Sequence, residues 1–244
     1  MDLKEKVVLI TGSAVRVGKT IALTLAKKGA HVVIHYRTRK ESAEETAAEI
    51  ARISSKPLIV QGDISLEGDW YRMRDKILSH HGKIDVLVNN AAVFYRTPFL
   101  DSTTKDWDFF HDVNLKGTYL GCRIFGEIMV QQQQGKIINI ADVSAYTVWE
   151  NYIPYCVSKA GVIALTKGVA KALAPHVKVN AIAPGTILLA EEYDADEEQA
   201  LIEKTPLKRI GTPQDIANTV KFLIEGSDFI TGAVIKVDGG RSLT

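Results

Sequence analysis

Short β-branched runs alternate with longer stretches of helical period along almost the whole chain. The strand candidates are Lys6–Thr11, His31–Tyr36, Pro57–Gly62, Ile84–Asn89, Lys136–Ala141, Val177–Ile182 and Ala233–Val237. All but the sixth are nearly continuous apolar runs, as parallel strands covered on both faces require. Between them, segments such as Gly18–Lys28, Ser42–Ile53 and Pro154–Ala174 carry apolar residues at helical spacing. Strand, helix and strand repeated in this way predict an α/β fold, an open, doubly wound parallel sheet of seven strands with right-handed crossovers. Gly and Pro fall at the ends of these segments, where turns belong, and no linker or fixed-period repeat interrupts them. The pattern therefore predicts one domain over residues 1–244, with Gln131–Gln134 as the exposed end of a long helix.

Composition narrows the class. A chain of 244 residues, 46% hydrophobic, can bury a sizeable core. Lys plus Arg total 30 against 29 Asp plus Glu, a net charge of +1. That balance argues against nucleic acid or an anionic membrane as partner, since both select a cationic excess. No apolar run approaches the roughly 20 residues of a spanning helix. Met1-Asp2-Leu3-Lys4-Glu5 leads straight into a strand without a signal-peptide pattern. Cys122 and Cys156 make no disulfide scaffold and lack metal-ligand spacing. The expectation is a cytoplasmic protein with a small-molecule substrate and no metal.

Thr11-Gly12-Ser13-Ala14-Val15-Arg16-Val17-Gly18 follows the first strand and opens a helix. Gly12 permits a tight strand-to-helix turn, Gly18 lets the helix pack close to the sheet, and the helix N-terminus offers free N–H groups to a pyrophosphate. An NAD site carries an acid at the end of the second strand to bind the ribose 2′-hydroxyl. Here that position reads His35-Tyr36-Arg37-Thr38-Arg39-Lys40. Guanidinium forks and a hydroxyl suit a 2′-phosphate, so NADPH/NADP+ is the predicted cofactor.

Tyr155 and Lys159 stand four apart in Pro154-Tyr155-Cys156-Val157-Ser158-Lys159-Ala160, on one helix face begun by a proline. A phenol titrates near ~10, and a neighbouring ammonium favours its ionised form, which fits acid–base work. Cys156 reads as a structural cysteine within a packed helix. His80-His81, Trp70 and Trp107 lack a supporting constellation.

With these motifs in place, the chain resembles the short-chain dehydrogenase/reductase family over essentially its whole length. Thr11–Gly18, Asn89-Asn90-Ala91-Ala92, Asn114, Tyr155 with Lys159, Val179-Asn180 with Pro184-Gly185, and Thr231-Gly232 with Val237-Asp238-Gly239-Gly240 stand in family order. The resemblance implies a Rossmann-type sheet ordered 3-2-1-4-5-6-7. It implies a dinucleotide bound by Gly12, Arg16, Val17, Gly18, His35, Tyr36, Arg37, Thr38, Asn90, Ala91, Tyr155 and Lys159. It also implies that Asp63 meets the adenine amino group above Ile64, that Pro184, Gly185 and Ile187 meet the nicotinamide, and that Asn114 completes a proton relay. A homotetramer or homodimer built on helices around residues 104–132 and 154–174 follows, as does a substrate lid around 187–210. The acidic stretch from Glu191 to Glu198 falls within that lid.

Two departures point to a branch. Arg16 replaces the usual glycine or alanine, and Asp142 stands thirteen residues before Tyr155, where the family usually has serine. Both look like pteridine reductases, as do His35-Tyr36-Arg37, the stretch from Asn89 through Phe94-Tyr95-Arg96-Thr97-Pro98, and Leu189. A pterin is reduced at carbon–nitrogen double bonds, so Asp142 could relay the proton through Tyr155. Arg16 would then meet the pterin's polar edge and Phe94 would stack on it. Ser144 could instead supply the missing hydroxyl, in which case a 3-oxoacyl-thioester or other carbonyl reductase is the alternative. Pro206-Leu207-Lys208-Arg209-Ile210-Gly211-Thr212-Pro213 is common among such enzymes. A non-catalytic NADP-binding sensor is the third reading, opposed by the intact Tyr155 and Lys159.

Overall fold

The structure is a computed structural model that describes residues 1–189 and 194–244. Its seven strands form one parallel sheet: β1 (Val7–Ile10), β2 (His31–Tyr36), β3 (Leu58–Gln61), β4 (Val86–Asn89), β5 (Gly135–Ile140), β6 (Val177–Pro184) and β7 (Val234–Val237). Their order is 3-2-1-4-5-6-7, as the resemblance implied. The helices are α1 (Arg16–Ala26), α2 (Lys40–Ala51), α3 (Glu67–His81), α4 (Thr104–Phe110), α5 (Gly117–Gln131), α6 (Ile153–Ala172), α7 (Ala195–Glu203) and α8 (Pro213–Glu225). Among the described residues no helix is long and apolar enough to cross a membrane.

Alternation along the strands builds two cores. Val8 and Ile10 face Ile21, Leu25, Ile216 and Val220 of α1 and α8. Val7 and Leu9, one residue out of phase, face Trp70, Met73 and Phe125 of α3 and α5. Covering both faces explains why β1 and β4 are buried at every position. The two edges are exceptions: the pattern predicts covered strands, but β3 has one buried residue and β7 none.

Element ends shift by a few residues from the sequence pattern. β6 runs on to Pro184, past the end of β5 and level with the end of β7. Helix α5 ends at Gln131 with Gln132 as its cap, so the glutamine run begins at the exposed end of a long helix and continues into the turn beyond it. The Gln132 side-chain amide clamps the backbone of Ile84: its Oε1 accepts Ile84 N–H at 3.2 Å and its Nε2 donates to Ile84 O at 2.7 Å. Between α4 and α5, residues His111–Lys116 widen into a π-helical turn that carries Asn114. The carboxyl ends of the strands open on a cleft of about 660 Å³.

Candidate active site

At the β1 end of the cleft, Gly12 has φ +65°. A Cβ there would stand 3.1 Å from Ala91, and one at Gly18 would stand 2.7 Å from Asn90 Nδ2. Only glycine lets these backbones approach so closely. Asn90 secures the approach from β4: its Nδ2 donates to Thr11 O at 2.8 Å, while the Thr11 hydroxyl accepts the N–H groups of Asn90 and Ala91, each at 2.9 Å. Arg16 holds φ +52°, in the left-handed region that glycine occupies at least cost. Its Nη2 donates to the carbonyls of Leu188 and Leu189, both at 3.3 Å, so it ties this loop to the segment after β6.

His35 lines the cleft, but both ring nitrogens are taken by backbone. Nδ1 accepts Gly12 N–H at 2.9 Å and Nε2 donates to Gly62 O at 3.0 Å. Burial pushes its pKa down to about 4, which keeps the ring neutral in that tautomer. It braces the loop. Tyr36, Arg37, Thr38 and Arg39 form the wall beside it. Asp63 stands just outside, its carboxylate taking Ser65 N–H at 2.9 Å and lying 3.4 Å from Arg37 Nη1. Ile64 is buried against Gly117 and does not face the cleft.

At the β5 end, Tyr155 and Lys159 project from the first turns of α6, whose start carries Pro154. The Tyr155 hydroxyl donates to Asp142 Oδ2 at 2.8 Å, and Asp142 Oδ1 accepts Ser144 N–H at 2.8 Å. Lys159 Nζ donates to Ile140 O at 2.8 Å and lies 5.7 Å from the Tyr155 ring centre. Burial, then the Asp142 carboxylate, hold the phenol well above its ordinary value. The spacing of Tyr155 and Lys159 predicts the opposite shift. The ammonium spends its hydrogen bond on Ile140, while a carboxylate touches the phenol directly. Burial raises Asp142 and lowers Lys159 to about 8. Such a phenol keeps its proton at neutral pH.

Phe94 stacks on Tyr152, with centroids 4.8 Å apart and planes 3° from parallel, and meets Tyr155 edge-on at 4.8 Å. One of its faces is therefore already covered by protein. Tyr152 and Trp149 complete the aromatic wall. Sequence reasoning missed both, although they sit just ahead of the Pro154-Tyr155 turn. It also missed Arg241 and Leu201, which come from far along the chain. Asn114 does not line the cleft: its Oδ1 accepts Val93 N–H at 2.8 Å and its Nδ2 donates to Val93 O and Ser158 Oγ, both at 3.1 Å. It braces the loop that carries Phe94. Ser144 is fully buried between Asp142 and Cys156 and lines no part of the cleft, so the expectation of a substitute hydroxyl facing substrate fails. The short turn after β5 aims residue 142 outward and residue 144 inward.

Pro184, Gly185, Thr186 and Ile187 line the floor beyond β6, with Leu188 and Leu189 above them. Of the acidic stretch, Glu191 and Glu192 lie outside the described residues. Asp194 and Glu197 cap α7 reciprocally, and Glu197 Oε1 also pairs with Arg96 Nη2 at 2.6 Å. Arg96 Nε donates to Tyr152 OH at 3.1 Å, which links α7 to the aromatic wall.

A family described as enoyl-(acyl carrier protein) reductase matches residues 12–242. The chain belongs to the short-chain dehydrogenase/reductase family. It is 35% identical over 243 residues to a 3-oxoacyl-[acyl-carrier-protein] reductase of Synechocystis, covering 98% of this chain and 97% of that one. It is 34% identical over 249 residues to 3beta-hydroxysteroid dehydrogenase 1 of Eggerthella lenta, covering 99% and 95%. A solved short-chain type dehydrogenase/reductase from Mycobacterium marinum superposes with a TM-score of 0.94 at 33% identity, over 100% of this chain and 98% of that one. These likenesses make the chain a nicotinamide-dependent oxidoreductase of that family. They point to the carbonyl-reductase alternative rather than to a pteridine reductase. Two relatives of nearly equal identity nonetheless carry names with different substrates, so substrate choice is a matter for the site.

Proposed function

We propose that the chain is an NADPH-dependent reductase of a pterin of the dihydrobiopterin or dihydromonapterin type. The observation that carries this reading is the hydrogen bond from Tyr155 to Asp142. A ketone reductase needs a neutral hydroxyl donor where oxyanion charge develops, and a carboxylate at that point opposes it. Reduction at a carbon–nitrogen double bond builds no oxyanion for a hydroxyl to hold, and the proton that the nitrogen takes can come from a phenol backed by a carboxyl group.

The residues present fit a bound dinucleotide. The glycine cradle at Gly12 and Gly18 would take the pyrophosphate with Arg16 and Val17 beside it, Arg37, Thr38 and Arg39 would hold the 2′-phosphate, and Pro184, Gly185 and Ile187 would seat the nicotinamide. When bound, the cofactor supplies the hydride. Tyr155 gives its proton to the substrate nitrogen, and Lys159, cationic below about pH 8, stabilises the phenolate left behind. Asp142, whose proton affinity is raised by burial, takes a proton from solvent and relays it to Tyr155. Phe94, Tyr152 and Trp149 give a flat substrate an aromatic wall. Exposed Trp107, Tyr119 and Val157 on α4, α5 and α6 support assembly into a homodimer or homotetramer through those helices.

The second reading is a 3-oxoacyl-thioester or other carbonyl reductase, favoured by the activity that the Synechocystis relative's name gives. NADPH oxidation with dihydrobiopterin, dihydromonapterin and an acetoacetyl thioester, followed side by side, separates the two. The pterin reading expects turnover of a pterin, and Asp142→Ser to lower it while raising thioester turnover. A preference of orders of magnitude for the thioester in the unmodified chain replaces it with the second reading. Arg37→Ala with Arg39→Ala is expected to raise KM for NADPH far more than for NADH. Equal effects on both would remove the 2′-phosphate assignment.

A further inference from the structure

β7 runs into Val237-Asp238-Gly239-Gly240-Arg241, a turn that the reaction above leaves unused. Gly239 and Gly240 have φ of +62° and +86°, which reverse the chain over the strand ends. The Asp238 carboxylate clamps the reversal: Oδ1 accepts Gly240 N–H at 3.0 Å and Oδ2 accepts Ser242 N–H at 2.9 Å. The turn presents Arg241, partly buried, to the wall of the cleft, which Leu201 of α7 also lines. Its Nη1 donates to Thr244 Oγ1 at 3.3 Å, and that hydroxyl reaches Lys204 O, just past α7, at 3.0 Å. Among the described residues its guanidinium has no carboxylate partner.

Strand order fixes what Arg241 can reach. The phosphate loop follows β1, and Arg37 and Arg39 follow β2, four and five strands from β7. At a strand spacing of ~4.8 Å, that is about 19 to 24 Å. β5, which leads to Asp142, is two strands away, about 10 Å, a distance that a bicyclic heterocycle with a short substituent spans. Among the described residues the cleft wall carries five cationic side chains, Arg16, Arg37, Arg39, Lys159 and Arg241, against one carboxylate, Asp142. The first four belong to the phosphate loop, the end of β2 and the reacting centre. Arg241 alone stands beyond the reacting centre, on the side away from the phosphates.

We propose that Arg241 is a specificity-determining residue that binds an anionic group, a carboxylate or a phosphate, on the tail of the substrate. The proposal rests on the pterin reading and adds that the preferred pterin carries a negatively charged side chain. A guanidinium pairs with either anion in bidentate geometry, and the partial burial of Arg241 reduces screening by water.

The test compares steady-state reduction of dihydrobiopterin, whose side chain is neutral, with that of dihydrofolate, whose tail ends in carboxylates. Arg241→Met is expected to lower the ratio of kcat/KM for dihydrofolate to that for dihydrobiopterin at least about tenfold, chiefly through KM. Arg241→Lys should recover part of the ratio, and added salt should erode it in the unmodified chain. An unchanged ratio in Arg241→Met overturns the proposal and leaves the pterin reading standing. If neither pterin is reduced, the pterin reading falls, and the same variant is read on acetoacetyl coenzyme A against acetoacetyl-N-acetylcysteamine. There a tenfold fall in the preference for the phosphate-bearing carrier upholds Arg241, and an unchanged preference overturns it.

Discussion

At the β1–β2 end of the cleft, side chains are committed to backbone: Asn90 and Thr11 hold the phosphate loop to β4, and His35 holds Gly12 to Gly62. At the β5–β7 end, side chains meet side chains: Tyr155 meets Asp142, Phe94 meets Tyr152, and Arg96 joins Tyr152 to Glu197. The first construction fixes a surface for a constant ligand. The second holds its groups through contacts that a few substitutions can rearrange, which suits the end where substrates differ between family members.

The comparison breaks first at the reacting phenol. Tyr155→Phe should lower kcat by ~1,000-fold, the scale of lost acid–base catalysis, while NADPH still quenches tryptophan fluorescence on binding. Survival of a tenth of the activity would move the proton donor elsewhere.

The braced end can be tested by pH. In the unfolded chain His35 takes up a proton near its ordinary 6.5, and in the folded chain only near 4. The folded state thus favours the neutral ring. Its contribution, about 3 kcal/mol, is complete above pH 6.5 and lost as pH falls from 6.5 to 4. Urea unfolding of wild type and His35→Gln across that window should show a steeper slope in the wild type, and parallel curves would contradict the bracing role. Gly18→Ala should cost about 2 kcal/mol by the same measurement, because its Cβ meets Asn90 and the Gly12 carbonyl.

The smallest effect lies at the exposed end. Glu197→Gln removes one partner of Arg96 from an ion pair open to water, and KM for substrate should rise about threefold or less. A change as large as that at Tyr155 would mean that α7 belongs to the chemical step.

The braced end was the more legible in sequence, because a glycine's role there follows from local backbone geometry. The Gly12–Gly18 loop and the cations after β2 were found from spacing, and the strand pattern announced the sheet before any family likeness entered. The reacting pair was also legible, since four residues on a helix fix a shared face. The sign of the Tyr155 shift was not, because it depends on Asp142 touching the phenol while Lys159 turns to Ile140. Ser144 misled for a related reason: two residues along an extended strand share a face, but the chain leaves β5 at Ile140 and turns at Val143. Trp149, Tyr152 and Arg241 reach the cleft through turns whose direction no periodicity encodes.

Helix α7 has no fully buried residue; its described ties include a capping box, the pair with Arg96 and hydrogen bonds from Thr205 and Lys208 to the carbonyls of Leu201 and Glu203. A segment with no fully buried side chain can be exchanged for another of similar length without opening a hole in either hydrophobic layer. New substrate preferences can therefore arise by rewriting this one stretch, and the sheet beneath would register almost no change in melting temperature.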